Sequence, residues 1–216
     1  MITKNLSLQH VLRPSQLEGK APLILMLHGY GSDENDLFSF ASELSKDYLI
    51  VSAKAPQQML PYGNAWYDIN FDAQGGKFTN DEQAIASREL ISTFIDEIVT
   101  EYYADADNVT LLGFSQGAIL SYAVALSYPA KVNKVVALSG YIHSSIYKSS
   151  YEDNDFSNLK IYASHGNVDQ VIPVEWARKN KPFLDELGID NQYSEFPVGH
   201  GVNPDNFREF KEWLAS

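Results

Sequence analysis

The chain has 216 residues, enough for one domain or two small ones. Its composition, 44% hydrophobic and 20% charged, is that of a globular protein and excludes extensive disorder. It contains no cysteine, which excludes disulfides, thiolate nucleophiles and cysteine-based zinc sites. The 28 acidic residues outnumber the 16 basic ones, for a net charge of −12, so nucleic acid is not expected as a partner.

The sequence predicts a soluble protein of the cytoplasm. No apolar run approaches the roughly 20 residues of a membrane span, so no stable membrane insertion is expected. The first residues, Met1–Ser7, lack the apolar centre of a signal peptide. No repeat, low-complexity tract or flexible linker interrupts the chain, and residues 1–216 are therefore expected to form a single domain.

Predicted strands and helices alternate along the chain. Leu6–Leu12 alternates between polar and apolar residues and predicts an antiparallel edge strand. Continuous apolar runs, typical of strands buried on both faces, follow at Leu23–Leu27, Tyr48–Ser52, Val109–Leu112, Val135–Leu138 and Leu159–Ala163, with a last strand at Gln192–Phe196. Helices are predicted at Asp36–Lys46, after a start signal at Thr79–Glu82, and at Gln116–Tyr128, Val174–Leu187 and Asn203–Ala215. This alternation predicts an α/β fold with a mostly parallel sheet and helices on both faces.

The helix that follows Thr79–Glu82 has the clearest start signal. Thr79 and Glu82 have the spacing of a capping box. Two irregular, aromatic-rich stretches, Pro56–Phe78 and Tyr141–Asn158, fit neither period. Long loops in compact domains are usually functional, so both are expected to border a site.

The strongest catalytic signal is the pentapeptide Gly113-Phe114-Ser115-Gln116-Gly117 between a predicted strand and a predicted helix. A G-x-S-x-G sequence in this context is typical of a nucleophile elbow. The glycines allow a turn so tight that larger side chains would clash, and Ser115 then presents its hydroxyl outside the turn. Ser115 is the predicted nucleophile.

A serine nucleophile needs a general base and an acid that orients it. His200 lies between the last strand and the last helix, over the carboxyl edge of the sheet, and is the predicted base. Asp169 follows the strand Leu159–Ala163 and is the predicted acid. Of the other histidines, His28 and His165 are expected to hydrogen-bond the turns that follow them. His10 is expected at the surface, and His143 at the surface or lining a site.

The tetrahedral intermediate of acyl transfer needs backbone N–H donors. The residue after the nucleophile, Gln116, is predicted to supply one at a helix N-terminus. The loop Leu27-His28-Gly29-Tyr30-Gly31 is predicted to supply the second through Tyr30.

Several motifs occur in order and together resemble the phospholipase/carboxylesterase family of α/β-hydrolases, which includes acyl-protein thioesterases. They are Leu27–Ser32, Ala65-Trp66-Tyr67-Asp68, Gly113–Gly117, Leu138-Ser139-Gly140, His165-Gly166-x-x-Asp169 with Val171-x-Pro173, and Gly199-His200. The resemblance runs from about Leu23 to Leu214. It implies Ser115, Asp169 and His200 as the catalytic triad and Tyr30 and Gln116 as oxyanion donors.

The resemblance also implies an α/β-hydrolase fold without a separate cap domain, acting on a small-molecule ester or acyl substrate with no metal or organic cofactor. Thioesters and lysophospholipids are further candidate substrates. An open groove is expected, walled by Pro56–Phe78, Tyr141–Tyr151 and Val171-Ile172. Trp66, Tyr67 and Ile172 are expected to bind substrate there. A homodimer is compatible with exposed aromatics near the groove.

Three alternatives stay open on sequence alone. The same core serves peptidases and other hydrolases of narrow specificity. A binding module can retain a triad without turnover. A haloalkane dehalogenase is disfavoured, because that chemistry needs a carboxylate in place of Ser115.

Overall fold

The computed structural model describes residues 3–71 and 77–216. Its centre is a seven-stranded sheet with the order β1-β3-β2-β4-β5-β6-β7. The strands are β1 (His10–Arg13), β2 (Ala21–Leu27), β3 (Leu49–Ala53), β4 (Ala104–Phe114), β5 (Lys134–Leu138), β6 (Lys160–Gly166) and β7 (Asp190–Phe196). The edge strand β1 is antiparallel to β3 and the other pairs are parallel, as predicted.

The helices cover both faces of this sheet. They are α1 (Asp81–Glu101), α2 (Gln116–Ser127), α3 (Val174–Ala177), α4 (Asn180–Glu186) and α5 (Pro204–Ala215). Successive side chains of a strand point to opposite faces, and in β2 Leu25 packs in one core cluster with α1 and α2 while Met26 packs in the other with α5. The central parts of β2–β5 are therefore mostly apolar, because both faces are covered there.

The start of α1 differs from the prediction by one residue. Asn80, not Thr79, is the N-cap, and its side-chain oxygen accepts a hydrogen bond from the N–H of Gln83 at 3.2 Å. Thr79 Oγ1 instead donates to Asp81 Oδ1 at 2.6 Å. The predicted capping box of Thr79 and Glu82 is wrong, because the neighbouring asparagine is at least as good a cap and the threonine hydroxyl is engaged elsewhere.

Two predicted helices take other forms. Asp36–Lys46 contains a 3₁₀ helix over Leu37–Glu43. Val174–Leu187 is divided into α3 and α4. The physical reason is Pro182, which has no N–H to offer the carbonyl four residues earlier and whose ring would clash with it. The break lets Asn180 turn inward, where it is buried and its Nδ2 donates to Gly140 O at 3.2 Å.

The irregular stretches carry short elements of their own. Gln57–Gln58 pairs with Asn64–Ala65, and Ile69–Phe71 pairs with Lys77–Thr79. Gly75 and Gly76, part of the predicted loop Pro56–Phe78, lie outside the described residues. Within Tyr141–Asn158 there are 3₁₀ turns at Ser144–Ile146 and Tyr151–Asp153. Tyr67 and Tyr141, one from each stretch, lie beside Ser115 at the end of β4.

Candidate active site

Ser115 occupies a strained turn between β4 and α2. Its backbone angles, φ 54° and ψ −115°, are in a region that side chains other than glycine rarely adopt. The neighbouring glycines permit this turn: a Cβ on Gly117 would lie 1.9 Å from the carbonyl oxygen of Leu27, and one on Gly113 would lie 2.4 Å from the carbonyl oxygen of Gly117. Any larger residue at either position would displace backbone.

The structure brings the predicted serine, histidine and aspartate together. His200 Nε2 lies 2.9 Å from Ser115 Oγ, and His200 Nδ1 lies 2.7 Å from Asp169 Oδ2. The serine hydroxyl is thus placed to donate to an imidazole whose other nitrogen donates to a carboxylate. Phe114 contributes a ring 5.0 Å from the His200 ring, measured between centroids, and limits its rotation.

Asp169 is held by more than His200. Its Oδ1 accepts hydrogen bonds from the N–H groups of Val171 at 2.8 Å and Ile172 at 3.0 Å. Burial raises the pKa of this carboxyl, but the hydrogen bonds from His200, Ile172 and Val171 outweigh burial and leave the pKa below its usual value. The carboxylate is therefore charged where it faces the imidazole.

The loops that carry Asp169 and His200 touch through their backbones. A Cβ on Gly166 would lie 2.2 Å from the carbonyl oxygens of both Val198 and Gly199. The N–H of Asn167 also donates to Phe196 O at 2.9 Å. Only glycine at position 166 allows this approach, which sets the separation of the acid from the base.

Both predicted oxyanion donors lie next to Ser115. Gln116 is the first residue of α2, and a Cβ on Gly29 would lie 3.4 Å from Ser115 Cβ, which places the turn carrying Tyr30 against the serine. Within residues 3–71 and 77–216, neither the Tyr30 nor the Gln116 N–H donates to another protein group. The Tyr30 side chain is 40% exposed.

A cavity of about 290 Å³ opens beside Ser115 and Gln116. Its apolar lining comes from Tyr67, Ile69, Ile119, Tyr141, Ile172 and Trp176, and its polar lining from Thr79, Asp81 and His143. Of the three residues predicted to bind substrate, Tyr67 and Ile172 line this cavity. Both irregular stretches contribute to its walls, as expected.

Trp66 does not line the cavity, contrary to the prediction that it binds substrate. It is fully buried, and its indole N–H donates to His28 O at 2.9 Å. The Gln116 side chain holds the backbone of this segment. Its Oε1 accepts from the backbone N–H of Trp66 at 2.8 Å, and its Nε2 donates to Tyr67 O at 2.7 Å. This pair of bonds attaches the wall of the cavity to the residue after the nucleophile.

The remaining histidines divide between core and cavity. His28 donates from Nδ1 to Gly29 O at 2.7 Å and accepts at Nε2 from the Ala55 N–H at 3.0 Å, and burial lowers its pKa. The predicted structural role of His28 is thus confirmed. His165 also plays a structural role, since its Nε2 donates to Ile172 O at 2.9 Å. The prediction that His10 lies at the surface is wrong. The side chain is buried, and the Tyr102 hydroxyl satisfies the buried ring by donating to Nε2 at 2.7 Å.

His143 lines the cavity, which is the second of the two positions predicted for it. Its Nε2 lies 2.8 Å from Asp81 Oδ1 and 3.0 Å from Ser145 Oγ. Sequence reasoning did not single out Asp81 or Trp176 as site residues. Asp81 reads as an ordinary first-turn acid and Trp176 as an ordinary helical aromatic, so neither carried a signal of its own.

A serine on a strand–turn–helix elbow, followed along the chain by an aspartate and a histidine at the carboxyl edge of a mostly parallel sheet, defines an α/β-hydrolase. The model of the phospholipase/carboxylesterase family matches residues 10–216, and the chain belongs to this family. It is an enzyme of the ester-hydrolase class.

Curated relatives agree with this family, and a solved structure agrees with the fold. The chain is 28% identical to acyl-protein thioesterase 1 of Yarrowia lipolytica over 206 residues, 88% of this chain and 89% of the relative. It is 25% identical over 202 residues to a probable carboxylesterase SOBER1-like protein of Arabidopsis thaliana, 88% of this chain and 77% of the relative. A carboxylesterase from Mesorhizobium loti superposes with a TM-score of 0.84 at 19% identity over 100% of this chain and 98% of the other, which shows the fold.

No helix within the described ranges, 3–71 and 77–216, is long and apolar enough to span a membrane.

Proposed function

We propose that the protein hydrolyses carboxylic esters through an acyl-enzyme formed on Ser115. The observation that carries this proposal is the continuous chain of contacts from Ser115 Oγ through His200 to Asp169, at 2.9 Å and 2.7 Å. These are hydrogen-bonding distances between a nucleophile, a base and an orienting acid.

In the first half-reaction, Ser115 Oγ attacks the ester carbonyl carbon while His200 Nε2 takes the hydroxyl proton. The carbonyl oxygen becomes an oxyanion and receives the N–H groups of Tyr30 and Gln116. The intermediate collapses, the carbon–alkoxide bond breaks, and the alcohol leaves with the proton from His200. Asp169 keeps the imidazole in the tautomer that has its proton on Nδ1.

In the second half-reaction, water attacks the acyl-enzyme with His200 again as base. The acid leaves, Ser115 recovers its proton and the cycle closes. The relatives named acyl-protein thioesterase make thioesters a second substrate class for the same steps, since a thiolate replaces the alkoxide as leaving group.

The test is hydrolysis of p-nitrophenyl esters from acetate to palmitate by the wild type, Ser115→Ala and Ser149→Ala. Ser149 is an exposed serine away from the cavity and is the matched control. We expect Ser115→Ala to lower kcat by roughly 10⁴–10⁶ with the fold intact. A cavity of about 290 Å³ is small for a ligand site, so the optimum should fall at short acyl chains. An unchanged Ser115→Ala rate would overturn the proposal.

Asp169→Asn tests the orienting acid separately. We expect kcat to fall on the order of 10⁴, because the amide favours the wrong tautomer of His200. A loss of less than tenfold would assign the acid role to another residue.

Three properties of the whole chain stay predictions: the single domain over residues 1–216, the cytoplasmic location and the homodimer. Analytical ultracentrifugation of the purified protein decides the last of these.

A further inference from the structure

The cavity beside Ser115 has a charged end that ester hydrolysis itself does not require. Asp81 supplies this charge from the first turn of α1, and its side chain is 40% exposed. The proposed reaction uses neither Asp81 nor the groups around it. A substrate group that reaches this end of the cavity therefore meets a carboxylate.

Three neighbours fix the Asp81 carboxylate in place. Thr79 Oγ1 and His143 Nε2 donate to Oδ1 at 2.6 Å and 2.8 Å, and Ser145 Oγ donates to Oδ2 at 2.9 Å. Burial raises the pKa of Asp81, but these hydrogen bonds outweigh burial and leave the pKa below its usual value. A charged group held by three side chains is preorganised and need not reorder when a ligand binds.

Aromatic rings line the same cavity as Asp81. Tyr67, Tyr141 and Trp176 line the cavity, and the Tyr141 and Trp176 rings are 5.1 Å apart between centroids at an angle of 72°. The negative charge of Asp81 also reaches the two tyrosines, because after burial it contributes to raising the pKa of each. Aromatic faces attract ammonium groups, and quaternary ammonium ions are the ligands that aromatic cages recognise.

The lysines and arginines of the described chain lie outside this cavity. Lys179 lines a neighbouring cavity, which shares Tyr141, His143 and Trp176 with this one. The imidazole of His143 is already bonded to Asp81, so an anionic substrate group would meet this carboxylate with no lysine or arginine beside it and would be disfavoured.

From this arrangement we infer that Asp81 with Tyr67, Tyr141 and Trp176 forms a subsite for an ammonium group of the substrate, and that the preferred esters are cationic. The inference rests on the proposed ester hydrolysis and adds the chemical class of the substrate. The ammonium group can belong to the alcohol or to the acyl part, and the two are separated by experiment.

The experiment compares two pairs of esters that differ only in one atom, nitrogen or carbon. Butyrylcholine is compared with 3,3-dimethylbutyl butyrate for a cation on the alcohol side. The p-nitrophenyl ester of 4-(trimethylammonio)butyrate is compared with that of 5,5-dimethylhexanoate for a cation on the acyl side. The measured quantity is the ratio of kcat/KM for the charged ester to that for its neutral partner.

The variants are Asp81→Asn and, as the matched control, Glu82→Gln. Both remove one carboxylate from the first turn of α1, but Glu82 does not line the cavity. We expect Asp81→Asn to lower the charged-to-neutral ratio about tenfold in one of the two pairs, which identifies the side that carries the cation. Glu82→Gln should change it less than twofold. Equal ratios in the wild type and Asp81→Asn for both pairs would overturn the subsite.

A binding measurement separates this inference from the proposed function. Ser115→Ala is titrated by calorimetry with butyrylcholine, 4-(trimethylammonio)butyrate methyl ester and their neutral partners. Preferential binding of a charged ester, lost in Ser115→Ala/Asp81→Asn, supports the subsite even if the wild type turns over no ester. Serine-dependent turnover without any preference for charge keeps the proposed function and rejects the subsite.

Discussion

His165 lies behind the acid of the triad: its Nε2 is 3.3 Å from Asp169 Oδ2, the same oxygen that His200 Nδ1 contacts at 2.7 Å. Both side chains of the His165–Asp169 pair are fully buried. His165 Nε2 makes its hydrogen bond to Ile172 O, and Ile172 in turn donates its N–H to Asp169 Oδ1. The His165 imidazole therefore fixes the backbone at Ile172, and the Ile172 N–H in turn binds the Asp169 carboxylate.

This relationship predicts that His165 is a positioning residue for Asp169. His165→Leu removes the donor to Ile172 O and should lower kcat about tenfold, since an unsatisfied buried carbonyl costs about 1–3 kcal/mol and loosens the loop. His165→Gln retains an N–H donor and should recover most of the rate. Kinetics on a p-nitrophenyl ester, with thermal unfolding of both variants, provide the check. Equal kcat values for the two variants would argue that only packing matters here.

The contact between the loops of acid and base predicts a sharp difference between two glycines. Gly166→Ala would place a methyl group 2.2 Å from two carbonyl oxygens, whereas a Cβ on Gly199 meets no heavy atom within 4 Å. We expect Gly166→Ala to lower kcat by more than 10²-fold, because moving the loops by about 1 Å misplaces His200 relative to Asp169. Gly199→Ala should stay within a few-fold of the wild type. Similar losses in both would contradict the role assigned to the close approach.

The strained backbone of Ser115 predicts a gain in stability when glycine replaces it. A non-glycine residue in such a region costs about 1–3 kcal/mol, and in a protein of this size each 1 kcal/mol corresponds to about 2–4 °C in Tm. Ser115→Gly should therefore unfold a few degrees above Ser115→Ala, although both lack the hydroxyl. Differential scanning calorimetry of the two variants measures this, and equal Tm values would show that the turn carries no strain.

The lowered pKa of Asp169 predicts how acid affects stability. Its folded pKa lies below its unfolded value of about 3.9, so the folded state favours the carboxylate. This contribution is complete above the unfolded pKa and is lost as the pH falls through the folded pKa. Asp169→Asn should thus have a lower Tm than the wild type at neutral pH, and the gap should narrow below about pH 4. A gap that stays constant down to pH 2 would contradict the linkage.

The proposed catalytic residues could be predicted from the sequence because local context and chain order constrain them. A glycine-flanked serine after an apolar strand has few structural interpretations, and the positions of Asp169 and His200 after β6 and β7 follow from the parallel sheet. The three side chains then meet at hydrogen-bonding distances, as the prediction required.

The cavity was harder to predict because it depends on how distant segments lie against one another. His143 and Asp81 are 62 residues apart, and their contact is decided by the 3₁₀ turn at Ser144–Ile146 packing on α1. Trp66 was predicted in the groove because it lies in the long irregular stretch Pro56–Phe78. Its hydrogen bond to His28 O turns it inward, and no periodicity reveals such a bond.

The groups proposed to perform the chemistry and the groups proposed to select the substrate come from different parts of the chain. Ser115, Asp169 and His200 follow strands β4, β6 and β7, whereas more than half of the residues on the described cavity wall come from two other segments: Tyr67, Ile69, Thr79 and Asp81, and Tyr141 and His143. Changes confined to these two segments can therefore alter the cavity wall while the three proposed catalytic side chains keep their positions. A small enzyme of this design is a good starting point for directed evolution, because libraries confined to the two segments would alter selectivity and leave the reacting atoms where they are.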